Sequence, residues 1–123
     1  MDQNRIGTLI LDAAFIVHKS LGPGLLESAY ENCLILEMKT LGLFVASQVP
    51  LPLIYREQHV GIGYRADLII NQMVLVEVKS VEAINDIHVA QVITYLKLSN
   101  CKLGYILNFN VLKLNYGIKR IIV

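Results

Sequence analysis

The sequence predicts an α/β fold in which helices flank a mixed β-sheet. Three observations carry that expectation. Apolar residues recur at helical spacing through roughly the first 40 positions. From Leu43 the pattern changes to short apolar runs broken by turn residues, as strands require. One further helical stretch then separates two groups of strands, and an interleaved order of this kind packs helices on a sheet.

Residues 4 to 20 read as the first helix, with Ile6, Leu9, Ile10, Ala13, Ile16 and Val17 on one side. "LGPGLLES" interrupts it, because Pro23 cannot continue a helix and Gly22 and Gly24 break one. A second helix is expected over 25 to 41, with Leu26, Tyr30, Cys33, Leu34 and Met38 on one side and Gly42 as its stop. "VASQVPLPLIYRE" reads as extended. Pro50 and Pro52 lack an amide donor, so this strand belongs at a sheet edge or is irregular. "EQHVG" is expected to turn the chain. Two strands follow over 60 to 70 and 73 to 79, joined near Asn71 and Gln72. "INDIHVAQVITYLKL" (84 to 98) reads as helix, and "KLGYILNF" and "GIKRIIV" close the chain as strands.

At 123 residues, 54% hydrophobic and 17% charged, the chain fits one domain, 1–123, with enough apolar side chain for a real core, and disorder is excluded. No apolar stretch approaches the roughly 20 residues of a membrane span. Asp12 interrupts the apolar part of the N-terminus, which speaks against a signal peptide. Cys33 and Cys101 lack CxxC spacing and read as free thiols in a reducing cytosol, so a cytoplasmic location is expected. The net charge of +1 hides an asymmetry. All ten acids lie at or before Asp86; that part carries six basic groups, a net of −4, and the remainder carries +5. Such a distribution suits a polyanion lying against the C-terminal part, and a solvated lysine rim explains it equally well.

The chemistry concentrates in "RADLIINQMVLVEVKS". Asp67, Glu77 and Lys79 sit there among Leu, Ile and Val, where an isolated buried charge is costly. Strand alternation puts Glu77 and Lys79 on one face and Val74, Val76 and Val78 on the other. Two carboxylates and an amine suit phosphodiester hydrolysis: the acids hold a divalent cation and the amine positions water and offsets developing charge. A plain two-residue turn at Asn71 and Gln72 would set Asp67 opposite Val76, on the wrong face. A shared site therefore requires an odd-length loop or a bulge. Against this stands an ordinary strand ion pair. On the following helix, His88, Gln91 and Tyr95 share one face, and Gln91 and Tyr95 could bond phosphate or orient Lys79. A core-facing Tyr95 and a surface or packing role for His88 are the plainer alternatives. Glu27, Tyr30 and Glu31 line the second helix; Glu27 reads equally as a first-turn acid favoured by the helix dipole or as a further metal-binding carboxylate.

These residues resemble a known pattern. "GLLESAY" places Gly24, Glu27 and Tyr30 at the spacing of the GxxExxY protein family, within the PD-(D/E)XK nuclease superfamily. "YRAD", "VEVKS", "HVAQVITYLKL", "GYILNFNV" and "GIKRIIV" resemble its later blocks in order, from about Leu11 to Val123. The resemblance implies a PD-(D/E)XK nuclease-like (restriction-endonuclease-like) sheet flanked by helices, with the site at the strand hairpin. It matches Glu27 to the acid on the preceding helix, Asp67 to the first acidic motif, Glu77 and Lys79 to E-x-K, and Gln91 and Tyr95 to Q-x-x-x-Y. Ala66 stands where the superfamily label has proline, which contributes no chemical group.

The expected function is a metal-dependent nuclease acting on nucleic acid, with DNA favoured over RNA. Its metal set is Glu27, Asp67 and Glu77 with Mg²⁺ or Mn²⁺. Its catalytic set is Asp67, Glu77, Lys79, Gln91 and Tyr95, and Lys113, Lys119 and Arg120 would contact the nucleic-acid backbone. The alternative is a non-catalytic module that binds nucleic acid or protein on a nuclease fold. The apolar strand residues leave room for a homodimer face.

Overall fold

The computed structural model describes the backbone of residues 1–123 and every side chain except that of Ile62. Two helices open the chain, α1 (Gln3–Leu21) and α2 (Glu27–Thr40). Three strands follow, β1 (Val45–Tyr55), β2 (Gln58–Ile70) and β3 (Val74–Lys79). Helix α3 (Asp86–Ser99), strand β4 (Leu103–Asn108), a 3₁₀ turn (Leu114–Gly117) and strand β5 (Ile118–Ile122) complete it. The strands form one mixed sheet in the order β1-β2-β3-β4-β5. Only β3 and β4 run parallel, because α3 carries the chain back between them. The two-proline strand β1 lies at the edge, as its missing amide donors require.

Local chemistry sets the helix ends. Asp2 caps α1 by accepting the amide of Arg5 at 2.8 Å. Asn85 and His88 form a reciprocal capping box on α3: Asn85 Oδ1 accepts the His88 amide and His88 Nδ1 accepts the Asn85 amide. His88 is thereby accounted for as a helix cap. The turn expected at "EQHVG" falls earlier. Arg56 and Glu57 alone reverse the chain, both at positive φ, and Gln58 to Val60 are already strand.

The sheet buries a core on each face. On one side α1 and α2 cover it: Ile6, Ile10, Tyr30, Leu34 and Met38 pack on Leu68, Val76, Val78 and Tyr105. On the other, Val92, Tyr95 and Leu96 of α3 pack on Leu51, Ala66, Leu75 and Ile106. Membership of the two cores exposes an interruption in β1 and β2. Ala66 and Leu68, two apart, face opposite cores, as do Val45 and Val49, four apart. Regular alternation would put each pair on one face. The break lies at Asp67 in β2 and at Gln48 in β1, whose φ is +51°. Pairing keeps the same register on both sides of it, from Ser47 with Leu68 to Val49 with Ala66, so Gln48 stands opposite Asp67. The two strands change face together without slipping.

Candidate functional site

The parity condition set by the sequence is met at the β2–β3 connection. Ile70 pairs with Val74, Ile69 with Leu75 and Leu68 with Val76, which leaves the three-residue loop Asn71–Gln72–Met73. Asn71 and Gln72 take positive φ, and the Asn71 side chain accepts the Phe44 amide at 2.7 Å, tying the loop to the start of β1. One more step of this register sets Asp67 opposite Glu77. The ladder stops there, and side chains take over its bonds. Glu77 Oε2 accepts the amide of Asp67 at 2.7 Å, and Asp67 Oδ2 accepts the amide of Val78 at 2.9 Å. β2 and β3 fork at this point, and a carboxylate from each strand occupies the gap.

More acid gathers at the fork from α2. Gln48 donates its side-chain amide to Glu31 Oε1 at 2.9 Å and stands opposite Asp67 in the strand pairing, where it opposes the rise of that carboxyl. Glu27 lies at the first turn of α2, exposed, with Oε2 3.4 Å from the Ser80 amide. Ser80 Oγ donates to the Leu25 carbonyl at 2.7 Å, so the end of β3 is fastened to the start of α2. Tyr30 holds this start in place. Its hydroxyl donates to the Gly22 carbonyl at 2.5 Å and accepts the Leu25 amide at 3.1 Å, and its ring stacks on Phe109 with centroids 4.7 Å apart. Gly24 sits at φ +98°, which a side chain would strain. The Gly24, Glu27 and Tyr30 spacing is thus a turn, an acid at the site and the clasp that holds the turn.

Electrostatics follows from this crowding. Glu77 is only 4% exposed, and burial pushes its carboxyl from the ordinary 4.5 to about 8, with the Asp67 and Glu31 charges adding to the rise. The Asp67 amide and Lys79 oppose it. Asp67 is raised by burial and by Glu27, against the Val78 amide, Lys79 and Gln48. Glu31 is raised by burial, by Asp67 and by Glu27. Four acids therefore share a space that one lysine partly compensates. On the α3 side, Tyr95 is buried one turn after Gln91, and burial, then Glu77 and Asp67, hold its proton on.

The expected residues separate into groups. Asp67 and Glu77 meet at the fork, Lys79 and Tyr95 lie close enough to feel both charges, and Glu27 stands on the α2 side, while Gln91 sits one turn before Tyr95 on α3. Lys113, Lys119 and Arg120 do not join them. Lys113 precedes the 3₁₀ turn. Lys119 pairs with Ile106, itself the partner of Glu77, so it shares the Glu77 face about 10 Å away, two strand spacings. Arg120 points to the opposite face and bonds Asn4 of α1 at 3.3 Å. Adjacent strand residues cannot reach one phosphate backbone from one side of a sheet.

Two participants were missing from the sequence reading of the site, and a third, Glu31, was named on the second helix without a role. Glu31 lies one helical turn past Glu27, and that spacing was its signal. Gln48 carries no local signal; only strand pairing sets it opposite Asp67. Asn108, 2% exposed, clamps the segment after Lys79 by accepting the Val81 amide at 3.1 Å and donating to the Val81 carbonyl at 3.0 Å. Gly117 must be glycine beneath it, since a Cβ there would lie 2.0 Å from the Asn108 carbonyl oxygen.

Among the described residues, no three His, Cys, Asp or Glu side chains are gathered closely enough to hold a metal ion by themselves. Glu27, expected in the metal set, is engaged with Ser80 instead of completing a three-carboxylate cage. The donor set nevertheless fits a hard divalent cation. Backbone amides engage one oxygen of Asp67 and one of Glu77, and each carboxylate has a second oxygen of the hard-donor type that such a cation takes.

Among the described residues, no helix is long and apolar enough to cross a membrane. No curated protein and no solved structure matches the chain significantly. A family profile described as the PD-(D/E)XK nuclease superfamily matches residues 4–121, nearly the whole chain. The mixed sheet flanked by helices agrees with that fold, and members of the superfamily are generally nucleases that use divalent metals. That match spans the strands that carry Asp67, Glu77 and Lys79, and this chain belongs to the PD-(D/E)XK nuclease superfamily.

Proposed function

We propose that the protein is a metal-dependent nuclease of the GxxExxY type that hydrolyses phosphodiester bonds of DNA. The observation that carries this reading is the reciprocal bonding of Asp67 and Glu77 to the opposite strands' amides, which fixes two acids side by side where the ladder opens. Asp67 and Glu77 would hold Mg²⁺ or Mn²⁺, with Glu27 and Glu31 as the neighbouring acids. When bound, the cation supplies charge to phosphate oxygens and lowers the pKa of water. Lys79 shares the Glu77 face and stands ready to orient the attacking water and offset negative charge. Gln91 and Tyr95 donate hydrogen bonds from the α3 side. Lys119 lies on the same face to meet the phosphate backbone; Lys113 and Arg120 serve DNA bound more widely around the molecule. A cytoplasmic setting suits the free thiols Cys33 and Cys101.

Purified protein with Mn²⁺ should nick supercoiled plasmid. Glu77→Ala and Lys79→Ala should each lower the rate about 100-fold or more. Undiminished nicking by both variants defeats the proposal.

A second reading has its own support. With no three-acid cage preassembled among the described residues, a module that holds nucleic acid or protein without cutting it is favoured if Mn²⁺ fails to bind. Calorimetry separates the two: metal binding that disappears in Asp67→Ala supports the enzyme, and nucleic-acid binding without metal or cleavage supports the module.

A further inference from the structure

A cleft of about 250 Å³ opens on the α3 side, lined by Tyr64, Ile87, Ala90, Gln91 and Thr94. Its walls come from β2 and from the outer side of α3. It lies beside the carboxylate site, since Tyr64 of its lining is three residues before Asp67 on β2. Gln91 lines the cleft one turn before Tyr95 on α3, and burial, then Glu77 and Asp67, raise the Tyr95 hydroxyl's pKa. Tyr64 packs its ring against Tyr95, centroids 5.5 Å apart at 54°, and stays half-buried where it borders the cleft.

The lining mixes apolar, aromatic and neutral polar side chains. Ile87 is 75% exposed, Ala90 is exposed, and Tyr64 adds an aromatic ring. Gln91 and Thr94 are the polar members, and Gln91 presents both a donor and an acceptor. No charged side chain lines it. The cleft is smaller than the usual range for drug-sized ligands. A phosphate would find no cation here. A planar, polar-edged ring would find an aromatic partner, apolar walls and an amide.

We infer that this cleft receives one unstacked nucleobase of the strand whose phosphate lies at Asp67 and Glu77, so that the substrate is a single strand or a frayed or flipped end. The inference rests on the nuclease reading for its choice of ligand. Tyr64 is the stacking partner, Gln91 bonds the base edge, and Ile87 and Ala90 close the apolar side. A base held in an intact duplex cannot enter without leaving its stack, which costs a few kcal/mol. Single strands avoid that cost, and stacking on an aromatic side chain is tolerant of sequence.

The test measures binding to metal-free, full-length protein, so that no cleavage is needed. The probe is a single-stranded oligodeoxynucleotide of about ten nucleotides carrying one 2-aminopurine, compared with its duplex at the same salt. Single-strand binding with quenched 2-aminopurine fluorescence is expected. Tyr64→Ala should weaken it about 5- to 150-fold, while Tyr64→Phe retains it. Because Tyr64→Ala also removes a contact to Tyr95, Ala90→Leu serves as a second variant. It fills the cleft from an exposed helix position and should weaken single-strand binding to a similar degree. Duplex binding should respond to neither. Equal or tighter duplex binding, or single-strand binding unchanged in both Tyr64→Ala and Ala90→Leu, overturns the inference. Failure of the nuclease reading is distinct: it shows as Tyr64-dependent binding with no cleavage in Mn²⁺. Cleavage of duplex independent of Tyr64 would leave the nuclease and remove the base site.

Discussion

The amide of Asp67 donates to Oε2 of Glu77 at 2.7 Å, and through this bond one strand's backbone fixes the other strand's acid. Asp67 returns the arrangement by accepting the Val78 amide at 2.9 Å. Neither acid can swing away without leaving an amide unsatisfied, which costs about 1–3 kcal/mol for a buried donor. The pair is thereby pre-organised, and the same bonds end the β2–β3 ladder.

Glu77 makes the metal-free protein sensitive to pH. Its folded pKa lies near 8, above the ordinary 4.5, so the folded state holds a proton that the unfolded state has lost. This contribution to stability is full below about pH 4.5 and is lost as pH rises to about 8. Glu77→Gln keeps an oxygen for the Asp67 amide and carries no charge. Thermal melts in chelator should show a higher Tm for Glu77→Gln than for wild type at pH 8, with the gap closing toward pH 5. A variant no more stable than wild type at pH 8 would contradict the burial assigned to this acid.

Divalent cation should reverse that penalty. At a Mn²⁺ concentration 100 times Kd, stabilisation is about 2.7 kcal/mol, a rise in Tm on the order of 10 °C. The shift should shrink below pH 8, since the cation must then displace the Glu77 proton. Asp67→Ala should remove it. Differential scanning fluorimetry across pH reads all three outcomes.

Gln48→Gly separates geometry from chemistry. Glycine accepts φ +51° without strain, so the loss of the bonded amide is offset in part and stability should change by less than about 1 kcal/mol. Glu31 and Asp67 would face each other without the bridge, and Mn²⁺ affinity should change about 10- to 100-fold, as for lost second-layer partners at metal sites. Titration calorimetry with a matched Tm measurement checks both.

Tyr30→Phe keeps the stack on Phe109 and removes the hydroxyl that joins Gly22 to Leu25. The cost should be about 1–3 kcal/mol in urea unfolding. Hydrogen exchange at the Leu25 amide should rise more than in the sheet, because the turn that presents Glu27 is what loosens.

Much of the architecture was legible in the residues. Helical spacing located α1, α2 and α3, the two prolines put β1 at an edge, and parity alone demanded the irregular loop found at Asn71–Met73. Asp67, Glu77, Lys79, Gln91 and Tyr95 could be named together because they sit on elements whose periodicities are plain. Gln48 and Asn108 could not. Each acts on a segment distant in sequence, Gln48 on Glu31 and Asp67, Asn108 on Val81, and nothing in the flanking residues marks either. Net charge likewise says nothing of the face to which Lys119 and Arg120 turn, which strand register sets.

By itself the sequence determined the order and type of the elements and pointed to Asp67, Glu77 and Lys79 as charges set among apolar strands. Those follow from local periodicity and from the cost of placing charge among Leu, Ile and Val. The tertiary structure alone decided that β1 and β2 change face together at Gln48 and Asp67, that the ladder opens at Glu77, and that α2 brings two more acids to the gap. These depend on register and on contacts tens of residues apart, where backbone pairing and burial, rather than local preference, set the minimum.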